Sequence, residues 1–457
     1  MPTVPSMQST AAQPTSTQSA STQSASTQSA DAQPPADHPF DPRDISSKAF
    51  WTQVPAERDR VFAQLRAEQP ISWHRPAETD LLPNPADPGF WALTRHADIL
   101  AVSRNSEVFA SGQQFGGVML EDVPAEILEA AHSILAMDAP RHAKQRKIIS
   151  SVFTPKRVAQ IDAQIRTQAK LIVDAVAPLG EIDFVEQVAA RLPMWTISEM
   201  IGIPEHRRDE VTAAAGAMVS WNDPDFIGDG EPISVLFNGL MTLHGAASEL
   251  VALRRAEPAD DLMSALVHSE VDGERLTDAE IAAFFVLLCV AGNDTTRQTT
   301  SHTVLALRDF PAQRAWLVED YDSRIRPAIE EFVRWASPVM TFRRTARIDT
   351  EIDGRPIAAG EKVVMFYRSG NRDEAVFTDP ERFDLSRTPN NHVGFGGGGA
   401  HFCLGSNLAR TQLRALFQEL LFRLPDLEVG EPEYLAGNFI NGIKRLPARF
   451  TPHPSGG

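Results

Sequence analysis

One segment, FFVLLCVAGNDTTRQTT, constrains this chain more than any other, because it lies inside a helical pattern that runs from about 278 to 308. It is apolar on every side for two turns and then abruptly polar. A helix hydrophobic all round belongs in a core. At ~1.5 Å per residue this one is about 46 Å long, enough to cross a whole domain. The polar string AGNDTT in its middle is costly to bury without a purpose, since each unsatisfied hydroxyl or carboxylate costs about 1–3 kcal/mol. Gly292 removes a side chain where a ligand can approach the helix axis. Asp294 and Thr295 then supply a carboxylate and an alcohol able to pass protons to a small molecule bound there. The competing reading is an ordinary helix bent by hydroxyl groups that bond back to its own carbonyls.

Around that segment the pattern predicts a mainly α fold with short β-sheets. Helical periodicity recurs at 138–153, 157–176, 185–201, 206–220, 234–256, 260–268 and 325–336, and a last helix runs from Leu404 to about Leu424. ISWH and FWALTRH read as an early hairpin, and TEIDGRPIAAGEKVVMF as strands around a turn. Nothing of linker-like composition interrupts the chain after residue 40, so residues 41–457 are expected to form a single large domain. Before it, residues 1–40 repeat the polar unit STQSA and are expected to form a disordered tail. The tail has no apolar core of a signal peptide, and no run of the length that spans a bilayer marks a membrane anchor.

Charge and cysteine content narrow the function. A net charge of −17 argues against a nucleic-acid or anionic-membrane binder. Two cysteines make no disulfide framework, which suits the cytoplasm, and cannot hold an iron–sulfur cluster. One of them, Cys403, lies in GFGGGGAHFCLG, residues 394–405. Gly394, Gly396 and Gly399 match a dinucleotide-binding string, but RTPNNHV before it is a poor strand and Glu419, at the spacing of the ribose acid, falls inside the following helix. A cysteine at the mouth of a helix is the better clue, since the helix dipole and free amides favour thiolate. Gly398 and Gly405 allow backbone to lie flat against a planar group, and His401 offers a donor to an anionic edge. A thiolate below a flat dianionic disc describes haem.

The loop resembles the cysteine-ligand loop of the cytochrome P-450 superfamily, with Phe395 eight residues before Cys403 where seven is usual. AGNDTT is similar to the superfamily's oxygen-activation motif. EEFVRW and DPERF match the strings whose Glu331, Arg334 and Arg382 would form a buried triad behind the haem. By the same resemblance His142 and Arg146 share a helix face turned to one haem propionate, Arg344 takes the other with Arg343 second by register, and His401 completes the set. The resemblance implies haem b with Cys403 as axial ligand, Phe395 and Gly405 against it, and monooxygenation with O2. With no cluster cysteines and no flavin domain after Phe450, the electrons are expected from an external ferredoxin and ferredoxin reductase. The basic run Arg141–Arg157 either receives that acidic carrier or is a solvated face.

VAGNDTTR, FVRWASPV, MFYRSGNRDE and FINGIK narrow the likeness to soluble actinobacterial members that oxidise methyl-branched lipids and sterol side chains. The expected reaction is terminal hydroxylation of a methyl-branched fatty acid, isoprenoid or sterol side chain. The alternatives are oxidation of another hydrophobic molecule, or a haem-thiolate lipid binder or sensor without turnover. A sensor has no need of Asp294 and Thr295. Segments 110–136, 187–245, 338–342 and 437–441 are the candidate substrate contacts, with Trp195, Met218 and Trp221 either lining the pocket or filling core.

Overall fold

The computed structural model describes residues 38–81, 84–123, 133–152, 155–270 and 272–454; the repeated N-terminal segment lies outside them. The helix expected at the centre is there, continuous from Asp278 to Asp309. Its start is set by a capping box: Thr277 Oγ1 accepts from the Glu280 amide at 3.2 Å, and Glu280 Oε2 accepts from the Thr277 amide at 2.8 Å. Helices Arg191–Ile201, Arg208–Val219, Pro232–Ala256 and Tyr321–Ala336 pack around it. Ile281, Phe284, Phe285 and Cys289 sink its apolar half into the main core. Among the described residues this helix alone is long and apolar enough to cross a membrane, but 56% of its apolar window is buried inside the fold.

The polar half stays buried because its hydroxyls are spent locally. Those of Thr295, Thr299, Thr300, Ser301 and Thr303 each donate to the carbonyl four residues back, at 2.7–2.9 Å. Gln298 exchanges hydrogen bonds with the Ile443 backbone, and His302 Nε2 meets the Asn441 carbonyl at 2.9 Å. Back-bonding is therefore present without breaking the helix. Gly292 departs from expectation. A Cβ there would come within 2.5 Å of Ile197 Cδ1, so this glycine serves the close approach of helix Arg191–Ile201.

Most other helices lie within a few residues of their periodicity. The pattern at 185–201 splits into a π turn, Val185–Ala189, and the helix Arg191–Ile201. Pro193 has no N–H for the Ala189 carbonyl, and helical bonding is interrupted there. Helix Tyr321–Ala336 starts a turn earlier than expected and holds Pro327 in its second turn. Helices Pro55–Glu68, His96–Arg104 and Pro311–Glu319 were not expected. The hairpin Ile71–His74/Phe90–Leu93 forms as expected and continues into a five-stranded sheet. There Phe90–Leu93 runs parallel to Lys362–Phe366, which pairs antiparallel with Thr341–Ala346 and, beyond it, Phe109–Ala110. Thr350–Ile352 and Arg355–Ile357 form the expected turn-linked pair.

A buried ion pair positions the cysteine loop. Glu331 and Arg334, each 0% exposed, share two hydrogen bonds of 2.7 Å on the helix Tyr321–Ala336. Arg334 also donates to the carbonyls of Asn371, Pro380 and Arg382. The third guanidinium is not the one expected: Arg382 is exposed and contributes only its carbonyl, while Arg387 Nε donates to Glu331 Oε2 at 3.2 Å. Backbone turning after Pro380 brings Arg387, seven residues further on, back under the helix. Asn371 carries the connection forward, donating to Ser337 Oγ at 2.9 Å and accepting from the Val393 amide at 2.7 Å, immediately before the glycine run. Glu331→Gln leaves two buried guanidiniums without their carboxylate, and a loss of about 3–5 kcal/mol is expected. Thermal unfolding of the purified variant, or its failure to accumulate as folded protein, checks this.

Candidate functional site

The cysteine loop folds under the end of the helix His96–Arg104. Gly396, Gly398 and Gly399 have φ of +93°, +88° and +77°, a region open mainly to glycine. A Cβ on Gly397 would lie 2.7 Å from Ser103 Cβ, and one on Gly399 would lie 2.6 Å from the Ser103 carbonyl oxygen. Ser103 Oγ donates to the Gly398 carbonyl and Arg104 Nε to the Gly397 carbonyl, both at 3.0 Å. Chain reversal and the neighbouring helix thus explain the glycine run, including Gly398, which was expected to face a planar group. Gly405, at the start of helix Ser406–Arg423, differs: a Cβ there would meet no protein atom within 4 Å.

Cys403 is pinned by its amide, which donates to the Phe395 carbonyl at 3.1 Å. The Phe395 ring lies 4.5 Å under the Arg410 guanidinium and 5.6 Å from His392. The thiol is solvent-accessible. Its pKa is nevertheless raised, against the expectation of a thiolate. Desolvation by the surrounding walls outweighs the amides of Gly405 and Ser406 and the charges of Arg146 and Arg410. The other cysteine, Cys289, is buried in the central helix, where desolvation pushes its thiol far up.

Near Cys403 the described residues collect donors without an acid paired to them. The rings of His142 and His401 are 4.3 Å apart. Arg344, 3% exposed, donates only to the carbonyl of Arg343, at 2.7 Å. His142 Nε2 is buried without a partner, and Arg146 Nη2 donates to the Phe402 carbonyl at 2.6 Å. Asp138 is the acid whose charge reaches His142 and Arg344, but it is held by Arg347 at 2.8 Å and by the amides of Ser111 and Gly112. Desolvation lowers the pKa of each of these four, and mutual repulsion adds to it for the histidines; His401 falls to about 2 through burial and then the charges of Arg344, His142 and Arg146. Arg343 points the other way from the same strand, to Asp122 at 2.6 Å and the Phe115 carbonyl. Buried donors without an acceptor are costly. A flat ligand bearing two carboxylates fits this donor set.

Asp294 and Thr295 are neighbours on the central helix but do not bond to each other. Thr295 is half-buried, and its hydroxyl donates to the Ala291 carbonyl at 2.9 Å. Asp294 is fully buried and paired with Arg297, with Oδ2 unpartnered. Trp195 and Met218 are half-buried against the main core, and Trp221 is buried in it. The basic run is more nearly neutral than its sequence suggests. Arg141 pairs with Glu280 at 3.1 Å, Lys144 with Glu274 at 2.5 Å and Lys147 with Asp272 at 2.6 Å. The side chains of Lys156 and Arg157 lie outside the described residues.

Comparison with known proteins decides the family. Over 424 residues, 92% of this chain and 97% of the relative, the sequence is 42% identical to a protein of Mycobacterium tuberculosis named methyl-branched lipid omega-hydroxylase. The chain belongs to the cytochrome P-450 family. That family's model matches residues 236–425. A Mycolicibacterium smegmatis protein named steroid C26-monooxygenase is 39% identical over 85% of this chain and 90% of its own length. A solved Mycobacterium marinum cytochrome P-450 in complex with pseudoionone is 58% identical, with a TM-score of 0.88 over 91% of this chain and 100% of that one. This cytochrome P-450 is therefore a monooxygenase with a cysteine-ligated haem b, using O2 and an external redox partner.

The cradle of His142, Arg146, Arg344 and His401 is where the propionates of haem would be held, with Cys403 beneath the iron. This placement predicts that Cys403→Ala loses the red-shifted band of the reduced carbon monoxide complex while Cys289→Ala keeps it. It also predicts that Arg344→Gln lowers haem content on purification at least severalfold, checked by the ratio of haem to protein absorbance.

Proposed function

We propose that this cytochrome P-450 hydroxylates the terminal methyl of a methyl-branched lipid, whether fatty acid, isoprenoid or sterol side chain. Near full-length likeness to the methyl-branched lipid omega-hydroxylase carries the reading. The steroid C26-monooxygenases and the complex with pseudoionone, itself a methyl-branched chain, support it. Residues 41–457 form the haem domain in this reading and residues 1–40 a separate polar tail. Its place is the cytoplasm, and a ferredoxin with its reductase supplies the two electrons.

Haem, once bound, supplies the activation of O2 and the oxidation of the C–H bond. The chain supplies the rest. Primary C–H bonds are stronger than the secondary and tertiary ones beside them, so terminal oxidation depends on holding the end carbon in place and the inner carbons away. Thr295 holds a proton on a half-buried hydroxyl, and Asp294 lies one residue before it with its carboxylate against Arg297. Burial lowers the pKa of Arg297 to about 10, so it stays a cation beside the Asp294 carboxylate at neutral pH. Swinging of the Asp294 carboxylate between Arg297 and solvent would carry protons inward to Thr295. The paired acids of 272–280 can exchange for those of a carrier, because exposed ion pairs are worth only about 0–1 kcal/mol.

With reconstituted electron partners, a methyl-branched fatty acid is expected to give mainly the terminal alcohol. Mainly in-chain alcohols by mass spectrometry would refute the assignment. Thr295→Ala is expected to keep haem and substrate binding while most reductant goes to peroxide, measured as product formed per NADPH consumed.

A further inference from the structure

Away from the cofactor cradle a second buried cation has no anion. Arg58, on the helix Pro55–Glu68, is 3% exposed and makes no ion pair among the described residues. Its one hydrogen bond runs from Nη1 to the thioether of Met340 at 3.7 Å, and its buried Nε has no partner. The Trp51 ring lies 5.6 Å from the guanidinium carbon. A thioether and an aromatic face are weak acceptors for so strong a donor.

Neighbouring acids are already taken. Asp59 accepts two hydrogen bonds of 2.7 Å from Arg368 and lies 3.3 Å from Arg372, which also faces Glu381 at 3.4 Å. Three guanidiniums thus share this corner, and Arg58 is the one without a carboxylate in contact. Burial, and then the like charge of Arg368, bring its pKa down to about 10 against the pull of Asp59 and Tyr434. It is still a cation at neutral pH.

The position suits the far end of a bound lipid. Arg58 sits at an apolar cluster that includes Phe50, Trp51, Leu120, Met340 and Phe366. Met340 leads inward: its amide donates to the Phe439 carbonyl at 2.8 Å, and Phe439 lines a small cavity with Trp221 and Asn438. Met340 immediately precedes the strand Thr341–Ala346, which carries Arg344 of the cofactor cradle.

We infer that Arg58 is an anion-binding subsite that takes the carboxylate of a long-chain acid whose other end lies at the haem. The inference rests on the reading of the enzyme as a lipid hydroxylase and adds the end group of its substrate. A planar guanidinium matches a carboxylate through two parallel hydrogen bonds, and the dry surroundings strengthen both. Neutral lipids of the same length gain nothing from it.

The test is spectral titration of the holoenzyme with dodecanoate and with methyl dodecanoate, in the wild type, Arg58→Gln and Arg58→Lys. Haem content and thermal midpoint report on folding. The wild type is expected to bind the acid at least about tenfold more tightly than the ester. Arg58→Gln is expected to weaken the acid about ten- to a hundredfold and leave the ester unchanged, while Arg58→Lys keeps part of the preference. Equal binding of acid and ester by the wild type, or no response to either, overturns the proposal. So does a preference that survives in Arg58→Gln, or an equal loss for both probes. Product regiochemistry is read separately: an acid preference with in-chain products refutes terminal oxidation and keeps Arg58, and the reverse pattern refutes Arg58 alone.

Discussion

The Glu331–Arg334 pair holds the rest of the site in register. Both groups are fully buried, and every strong donor and acceptor on them is answered: the carboxylate by Arg334, Arg387, Asn390 and the Asp384 amide, the guanidinium by that carboxylate and three carbonyls. Removing two charges from water is so expensive that such a pair adds little net stability, but it tolerates only one arrangement of its partners. Those partners belong to the helix Tyr321–Ala336 and to the irregular chain from Asn371 to Asn390. Asn371 then holds Val393, so the position of the cysteine loop relative to the helical core follows from this one pair.

Among the described residues, buried guanidiniums without a carboxylate in contact include Arg344 and Arg58. Desolvation lowers the pKa of His142, Arg146, Arg344 and His401, and for the two histidines the neighbouring cations add to it. A protein that binds a dianion in such a cradle gains stability from the ligand by mass action, because the ligand binds the folded state alone. Charge in this fold is accordingly divided by purpose. Where guanidiniums organise the chain, as at Glu331 and Asp59, carboxylates accompany them; where they face a ligand, carboxylates are absent or already engaged.

Much of this was legible from residue order, for reasons that differ by element. The central helix could be read to within a residue because its start is a capping box and its first half is apolar on every side, both local properties. Strand alternation puts Arg343 and Arg344 on opposite faces, but the preference for Arg344 came from the family resemblance. Arg387 could not be found by any local rule, since its use depends on a turn that brings residues 379–390 beneath a helix some fifty residues earlier. The glycine run was visible as a feature, yet its cause, contact with Ser103 and Arg104, lies nearly three hundred residues away.

By itself, the sequence determined which chemistry the chain carries: a cysteine at a helix mouth, an acid and an alcohol on a core helix, and basic donors to hold an anionic ring. These survive in short strings because each depends on side-chain identity at a fixed local spacing. Only the tertiary structure decided what surrounds them. It showed Gly292 making room for Ile197, Arg141, Lys144 and Lys147 paired with acids of 272–280, and the Cys403 thiol raised in pKa where a free helix mouth would lower it. Burial and pairing depend on what other segments bring within a few ångströms, and no spacing along the chain encodes that distance.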